Sequence, residues 1–99
     1  MKLISNIVHG IDEELSGAQN YAEKMVESKA SGNSKWAQKY KSMAEDELSH
    51  AMNLHELAVE EIEKLRSVMT PPQDMLDKWN VAHVSYVDKA AWIKQMMSL

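Results

Sequence analysis

The amino-acid sequence predicts an all-α protein, and three observations lead to that prediction. Long stretches carry apolar residues at spacings of three and four, which is typical of helices that bury one stripe of their surface. Both prolines of the 99-residue chain fall in one break, TPPQD at 70–74, and Gly32 falls in another, ASGNS at 30–34. No segment shows the strict alternation of apolar and polar residues that indicates a half-buried strand.

These breaks divide the chain into three long helices. We expect them near 3–30, 35–69 and 72–97. In the first break, Gly32 suits the position just after a helix end, and Asn33 or Ser34 can cap the next helix. In the second break, Thr70 is suited to capping and Pro71 to the first helical position. Because the first break is short, the first two helices must form an antiparallel hairpin.

Composition limits the classes of function. With 99 residues, 44% hydrophobic and 26% charged, the chain is expected to form one globular domain, 1–99. The net charge of −4 and the lack of a basic run argue against a nucleic-acid partner. No apolar run is long enough to span a membrane, and polar residues interrupt the opening MKLISNIVHG too early for a signal peptide, so the cytoplasm is the expected location. Since the chain has no cysteine, any metal must be held by oxygen and nitrogen.

Several ionisable residues fall on or beside the apolar stripes of the first two helices: Glu14, Glu47, His50, His55 and Glu61. The stripes themselves consist of Ile4, Val8, Ile11, Leu15, Ala18, Ala22 and Met25 in the first helix and of residues such as Ala44, Leu48, Ala51, Leu54, Ala58 and Ile62 in the second. Glu14 lies within the first stripe, Glu47 near the middle of the second, and His50 at its edge. In an antiparallel hairpin, residues equally far from the turn lie side by side. We therefore expect Glu14, Glu47 and His50 to meet at one level.

This group has the composition of half a metal site. An inward carboxylate without a partner is costly, and no Lys or Arg lies on these stripes, so a metal ion is the natural cation. Glu47 and His50 are one helical turn apart on one face, and Glu with His suits iron, manganese or zinc. A two-fold copy of the chain would bring the site to four carboxylates and two imidazoles, the ligand set of a dimetal centre in a four-helix bundle. Four carboxylates neutralise two divalent ions.

Two segments carry a family resemblance. ELSGAQNY at 14–21 and AEDELSHA at 44–51 resemble the ferritin/rubrerythrin superfamily, whose members place a Glu seven residues before a Tyr on one helix and Ala-Glu-x-Glu-x-x-His-Ala on the next. With one copy of this pair, the half-size chain is most similar to the encapsulated ferritins. In those proteins two helical hairpins associate and bind iron at the dimer interface.

The resemblance implies a ferritin-like four-helix bundle completed by homodimerisation, with two irons per dimer. It implies Glu14, Glu47 and His50 as iron ligands, Tyr21 in the surrounding shell, and ferroxidase-type oxidation of Fe(II) by oxygen or peroxide. It also implies a larger homo-oligomer and an encapsulating shell protein as candidate partners, although we find no shell-targeting tail. The third helix is expected to be longer than in the encapsulated ferritins.

Within the site, the sequence also suggests a role for each ligand. Glu14 is expected to be a terminal or chelating ligand, Glu47 to bridge the two metals from its mid-stripe position, and His50 to cap each metal. Two alternatives remain open: a metal-free helical interaction module, and a dimer held together by structural zinc or manganese. Outside the site, His55 is interpreted as an edge or interface residue, and His83 as a histidine that bonds a neighbouring helix.

Overall fold

The computed structural model describes residues 2–99 and confirms the all-helical class. Within that range there are three helices and no strand: α1 (Lys2–Ala30), α2 (Ser34–Arg66) and α3 (Gln73–Met97).

The first break folds as its sequence predicts. Gly32 has φ +78°, a left-handed conformation that glycine adopts without a steric penalty. This conformation turns the chain so that the Asn33 N–H donates to the Ser28 carbonyl at 2.8 Å. The Asn33 side chain then accepts from the Trp36 N–H at 3.1 Å and caps α2. The short turn fixes the antiparallel direction of α1 and α2.

The second break differs from the prediction. Helix α2 ends at Arg66 rather than near 69, and α3 begins at Gln73 rather than near 72. Thr70 and Pro71 lie outside α3, and Pro72, with φ −58° and ψ 136°, occupies the capping position without a side-chain bond. The residue before a proline is driven out of the helical region, and both Thr70 and Pro71 precede a proline. Two successive prolines therefore keep this segment extended.

Small residues let α1 and α2 approach closely along the hairpin. Ala44, Ala51 and Ala58 recur every seven residues on α2 and have no exposed surface, as does Ala18 on α1. Residue 10 lies opposite residue 54, and residue 17 lies opposite residue 47, so the two helices run antiparallel. This register determines which side chains meet across the hairpin.

Helix α3 covers one side of the hairpin. Near its start, Met75 and Trp79 lie beside Ile4 of α1, and near its end Ala90 lies beside Leu48 of α2. Helix α3 packs more closely on α1 than on α2. Because the three helices lie alongside one another, the molecule is elongated, with extents of 56 × 17 × 17 Å.

None of the helices within residues 2–99 combines the length and the apolar character that crossing a bilayer would require.

Candidate metal centre

The structure brings together the three side chains that the sequence analysis singled out. Glu14 projects from α1, and Glu47 and His50 project from α2, and one ligand atom from each lies within 4.8 Å of the other two. The prediction that they meet at one level of the hairpin rested on the antiparallel register, which the structure confirms. In the part of the chain that is described, no other three His, Asp or Glu side chains converge in this way.

The ligand atoms already interact with one another. His50 Nδ1 lies 3.3 Å from Glu14 Oε2 and 4.0 Å from Glu47 Oε1. The pKa of Glu47 is raised, first by a hydrogen bond with Glu14, then by burial and by the negative charge of Glu14, while His50 acts in the opposite direction. A hydrogen bond between two carboxyl groups requires a proton, so Glu14 and Glu47 share one when Glu47 is protonated.

The three side chains are less buried than their positions on the stripes suggested. The side chains of Glu14 and Glu47 are 28% and 27% exposed, and that of His50 is 56% exposed. The reason is the position of α3, which packs beside Leu48. Successive residues on a helix are about 100° apart, so Glu47 and His50 point away from the side that α3 covers.

The uncovered side of the hairpin, which we call the open face, is apolar around this cluster. It carries residues from both helices that flank the three candidate ligands. Besides Glu14, Glu47 and His50 it comprises Leu3, Gly17, Trp36, Met43 and Leu57. The large apolar side chains among them are between 40% and 57% exposed. On α2, Trp36, Met43, His50 and Leu57 follow one another at sevenfold spacing and form one row along this face. An apolar surface that surrounds a polar centre is typical of an interaction site.

Gly17 is a site residue that the sequence analysis missed. A Cβ atom built at this position would come within 2.8 Å of Glu47 Oε2, so the carboxylate lies directly against the α1 backbone. The available signal was a glycine inside a long helix, one turn after Glu14, where its low helix propensity is unfavourable.

Tyr21 has a different neighbour from the one expected. Its ring stacks on Tyr40, with ring centroids 6.3 Å apart and planes 24° apart, and Lys24 Nζ lies 5.8 Å from the Tyr40 ring. Among residues 2–99, Tyr21 forms no side-chain hydrogen bond to Glu14 or Glu47. A role in the shell around the metal remains a prediction.

The other ionisable groups considered in the sequence have partners elsewhere. Glu61 accepts from Lys64 at 3.3 Å near the end of α2. His55 and His83 form a hydrogen bond with each other across α2 and α3, which confirms that His83 bonds a neighbouring helix. These residues therefore do not extend the cluster.

The donor set fits a divalent ion of borderline hardness. Two carboxylates and one imidazole suit iron, manganese or zinc. Donors bound to one ion at about 2.1 Å lie at most about 4.2 Å apart, so the cluster, whose ligand atoms lie within 4.8 Å of one another, needs only a small contraction. Three donors still leave coordination positions for water or for a second chain. In comparisons with protein-family models, with curated proteins and with solved structures, no match to this chain is found.

Proposed function

We propose that two copies of this chain bind two iron ions between their open faces and oxidise Fe(II), as a dinuclear ferroxidase-type oxidoreductase with a ferritin-like four-helix bundle. The observation that carries the proposal is the convergence of Glu14, Glu47 and His50 within 4.8 Å on the side of the hairpin that α3 leaves uncovered. This location makes the ligands accessible to a second chain.

A second copy would complete both the coordination and the surface. One chain offers three donors, and a two-fold axis through the cluster would double them to four carboxylates and two imidazoles. The same axis would bring the region of the open face around Leu57 against the region around Met43 on the open face of the second copy. These side chains are 48% and 40% exposed in the single chain, so their burial would favour association.

Each ligand has a distinct part in the proposed site. Glu47, held against the α1 backbone at Gly17, would lie between the two ions, and Glu14 would bind from the neighbouring helix. His50, the most exposed of the three, would close the coordination from the outer side. Where Glu47 is protonated, that proton must leave before the carboxylate binds an ion, so binding would release protons. Iron is the substrate, and two Fe(II) ions together supply two electrons to oxygen or peroxide.

A second candidate function has its own supporting observation. His50 Nδ1 and Glu14 Oε2 form a hydrogen bond within the cluster, and Glu47 Oε1 lies 4.0 Å from the same nitrogen. Such a cluster can be structural, in which case the open face would serve a metal-free dimerisation or interaction module. Zinc or manganese in the same ligands would give a third outcome, in which the metal holds the dimer together without redox chemistry.

Native mass spectrometry on protein purified with Fe(II) tests the proposal, since it reports the oligomer and the metal content together. We expect a dimer, or a multiple of it, with two irons per pair of chains. A metal-free dimer would instead support the interaction module. Anomalous scattering at the iron, manganese and zinc edges would identify the ion that crystals retain.

Replacing Glu47 tests the chemistry itself. Glu47→Ala removes the central carboxylate, and we expect it to abolish Fe(II) oxidation, measured as the appearance of Fe(III) absorbance in air. The protein should remain folded, because a half-buried acidic group is removed rather than an apolar one. Oxidation at the wild-type rate by Glu47→Ala would rule out the assignment.

A further inference from the structure

A pair of histidines joins α2 and α3 at a place separate from the metal centre. His55 Nε2 lies 2.7 Å from His83 Nδ1. The His55 ring also stacks on Tyr86, with centroids 4.6 Å apart, and tilts against Trp79 at 5.1 Å. His55 thus lies against three aromatic rings of α3, those of Trp79, His83 and Tyr86.

In the part of the chain that the structure describes, this pair is the one polar link between α3 and the hairpin. Within residues 2–99, no other side-chain hydrogen bond and no salt bridge connects α3 to α1 or α2. The remaining contacts are apolar, and α3 makes most of them with α1. The histidine pair is therefore the polar contact that ties α3 to α2, whereas apolar packing holds α3 mainly against α1.

The geometry is that of a hydrogen bond and not of a metal site. The ring centroids of His55 and His83 are 4.9 Å apart, so the two facing nitrogens lie between the rings and point at each other. An ion bound to both nitrogens with tetrahedral geometry would hold them about 3.4 Å apart, with their lone pairs convergent. The observed 2.7 Å separation instead suits one shared proton.

A bond between two imidazole nitrogens depends on protonation. One nitrogen must carry a hydrogen and the other a free lone pair. When both rings are protonated, both facing nitrogens become donors, and two positive charges meet where a hydrogen bond had been. The pair therefore forms with at most one positive ring.

We propose that the His55–His83 pair is a proton-sensitive latch. It holds α3 against α2 while at least one of the two rings is neutral, and it weakens the contact between α2 and α3 when both rings are protonated. The proposal concerns α3 alone and is independent of the function of the metal centre. Loosening α3 would expose the apolar side of the hairpin that it covers, at a pH at which the α1–α2 hairpin itself remains folded.

The charges around His55 agree with this direction. Burial lowers its pKa, the charge of His83 from α3 lowers it further, and Glu56 on α2 partly opposes both. Tyr86 is the other ionisable side chain of α3 that touches the ring, and no ionisable side chain of α1 contributes to the shift. A lowered pKa means that the folded state prefers neutral His55. The stabilisation is therefore complete above about pH 6.5, the ordinary value for histidine, and is lost as the pH falls through the lowered pKa.

Hydrogen exchange measured by mass spectrometry on the metal-free protein tests the latch, because it reports on α3 separately from the hairpin. After correction for intrinsic exchange rates, we expect protection in 73–97 to fall at least tenfold between pH 7.5 and pH 5.0. Protection in the hairpin should fall much less. A wild-type protein whose α3 protection does not depend on pH would overturn the proposal.

Two conservative variants make the test specific. His83→Asn places an amide where Nδ1 lies and His55→Gln places one where Nε2 lies, so each can keep a hydrogen bond while removing a titrating group. Both should reduce the pH effect on α3 to less than twofold. His50→Gln, which alters the metal centre, should retain the full wild-type effect. A tenfold loss that persists in both His83→Asn and His55→Gln would show that another group is responsible.

Discussion

Gly17 of α1 lies directly beneath the carboxylate of Glu47 on α2, so closely that a Cβ atom at position 17 would come within 2.8 Å of Oε2. The missing side chain leaves the space in which Glu47 reaches across to Glu14. A helix normally disfavours glycine by about 0.5–1 kcal/mol relative to alanine, and here that cost coincides with the position of the carboxylate. Gly17 therefore positions a proposed ligand without touching the metal itself.

Gly17→Ala should separate metal binding from stability. The new methyl group should displace the Glu47 carboxylate, and we expect affinity for Fe(II) or Zn(II) to fall at least tenfold in calorimetric titrations. The fold should tolerate the change, because the atom in the way is the far end of a flexible side chain. Better helix propensity should keep the free energy of unfolding equal to the wild-type value or raise it by up to about 1 kcal/mol.

Gly10→Ala is the matched control for that experiment. Its Cβ would meet Leu54 Cδ1 at 3.1 Å, an apolar contact outside the cluster. We expect metal affinity within about twofold of wild type. Equal losses of affinity in Gly10→Ala and Gly17→Ala would show that the effect comes from the helix and not from the position of Glu47.

Glu47→Gln should change how the stability of the metal-free protein depends on pH. The raised pKa of Glu47 means that the folded state prefers the protonated carboxyl group. That contribution is present below the ordinary value of 4.5 and is lost as the pH rises through the raised pKa. Glutamine stays neutral and can still donate to Glu14, so the variant should lose less stability than wild type between pH 4.5 and pH 7.5. Urea titrations at these two pH values would measure this, and a larger loss in the variant would contradict the pKa direction.

A charge on the open face should prevent dimerisation, whereas a charge on the outer face of α3 should not. Leu57, 48% exposed, flanks the proposed metal centre, while Val84 of α3 is 58% exposed and lies away from it. We expect Leu57→Lys to raise the dimer dissociation constant at least tenfold, because the proposed two-fold axis would bury two new charges. Val84→Lys should leave it within about twofold. Analytical ultracentrifugation would measure both, and a monomeric Val84→Lys with a dimeric Leu57→Lys would assign the interface to α3 instead.

Tyr21→Phe should leave metal binding intact. The Tyr21 ring stacks on Tyr40, and its hydroxyl makes no hydrogen bond to Glu14 or Glu47 in the described chain. We expect the affinity for Zn(II), which undergoes no redox change, to stay within about twofold of wild type. A tenfold weaker affinity would show that the hydroxyl supports a ligand after the metal binds.

Local signals were sufficient for most of the helical structure. Gly32 and Asn33 specify the first turn through backbone conformation and capping, and these depend on a few adjacent residues. The second break is predicted less accurately, because Thr70 as a cap and Pro71 as a first helical residue each favour a helix start when taken singly. Their succession excludes it, since each of the first two residues precedes a proline.

The sequence by itself determined which candidate ligands could meet. Glu14 faces Glu47 and His50 because helical periodicity and a short turn fix the register of the hairpin, and both are encoded locally. Only the tertiary structure decided how deeply those ligands lie, since that depends on which side of the hairpin α3 covers. The contact of Gly17 with Glu47 and the pairing of His55 with His83 likewise depend on distances across helices. Periodicity gives the direction of a side chain from its own helix axis, whereas packing alone determines what lies opposite it.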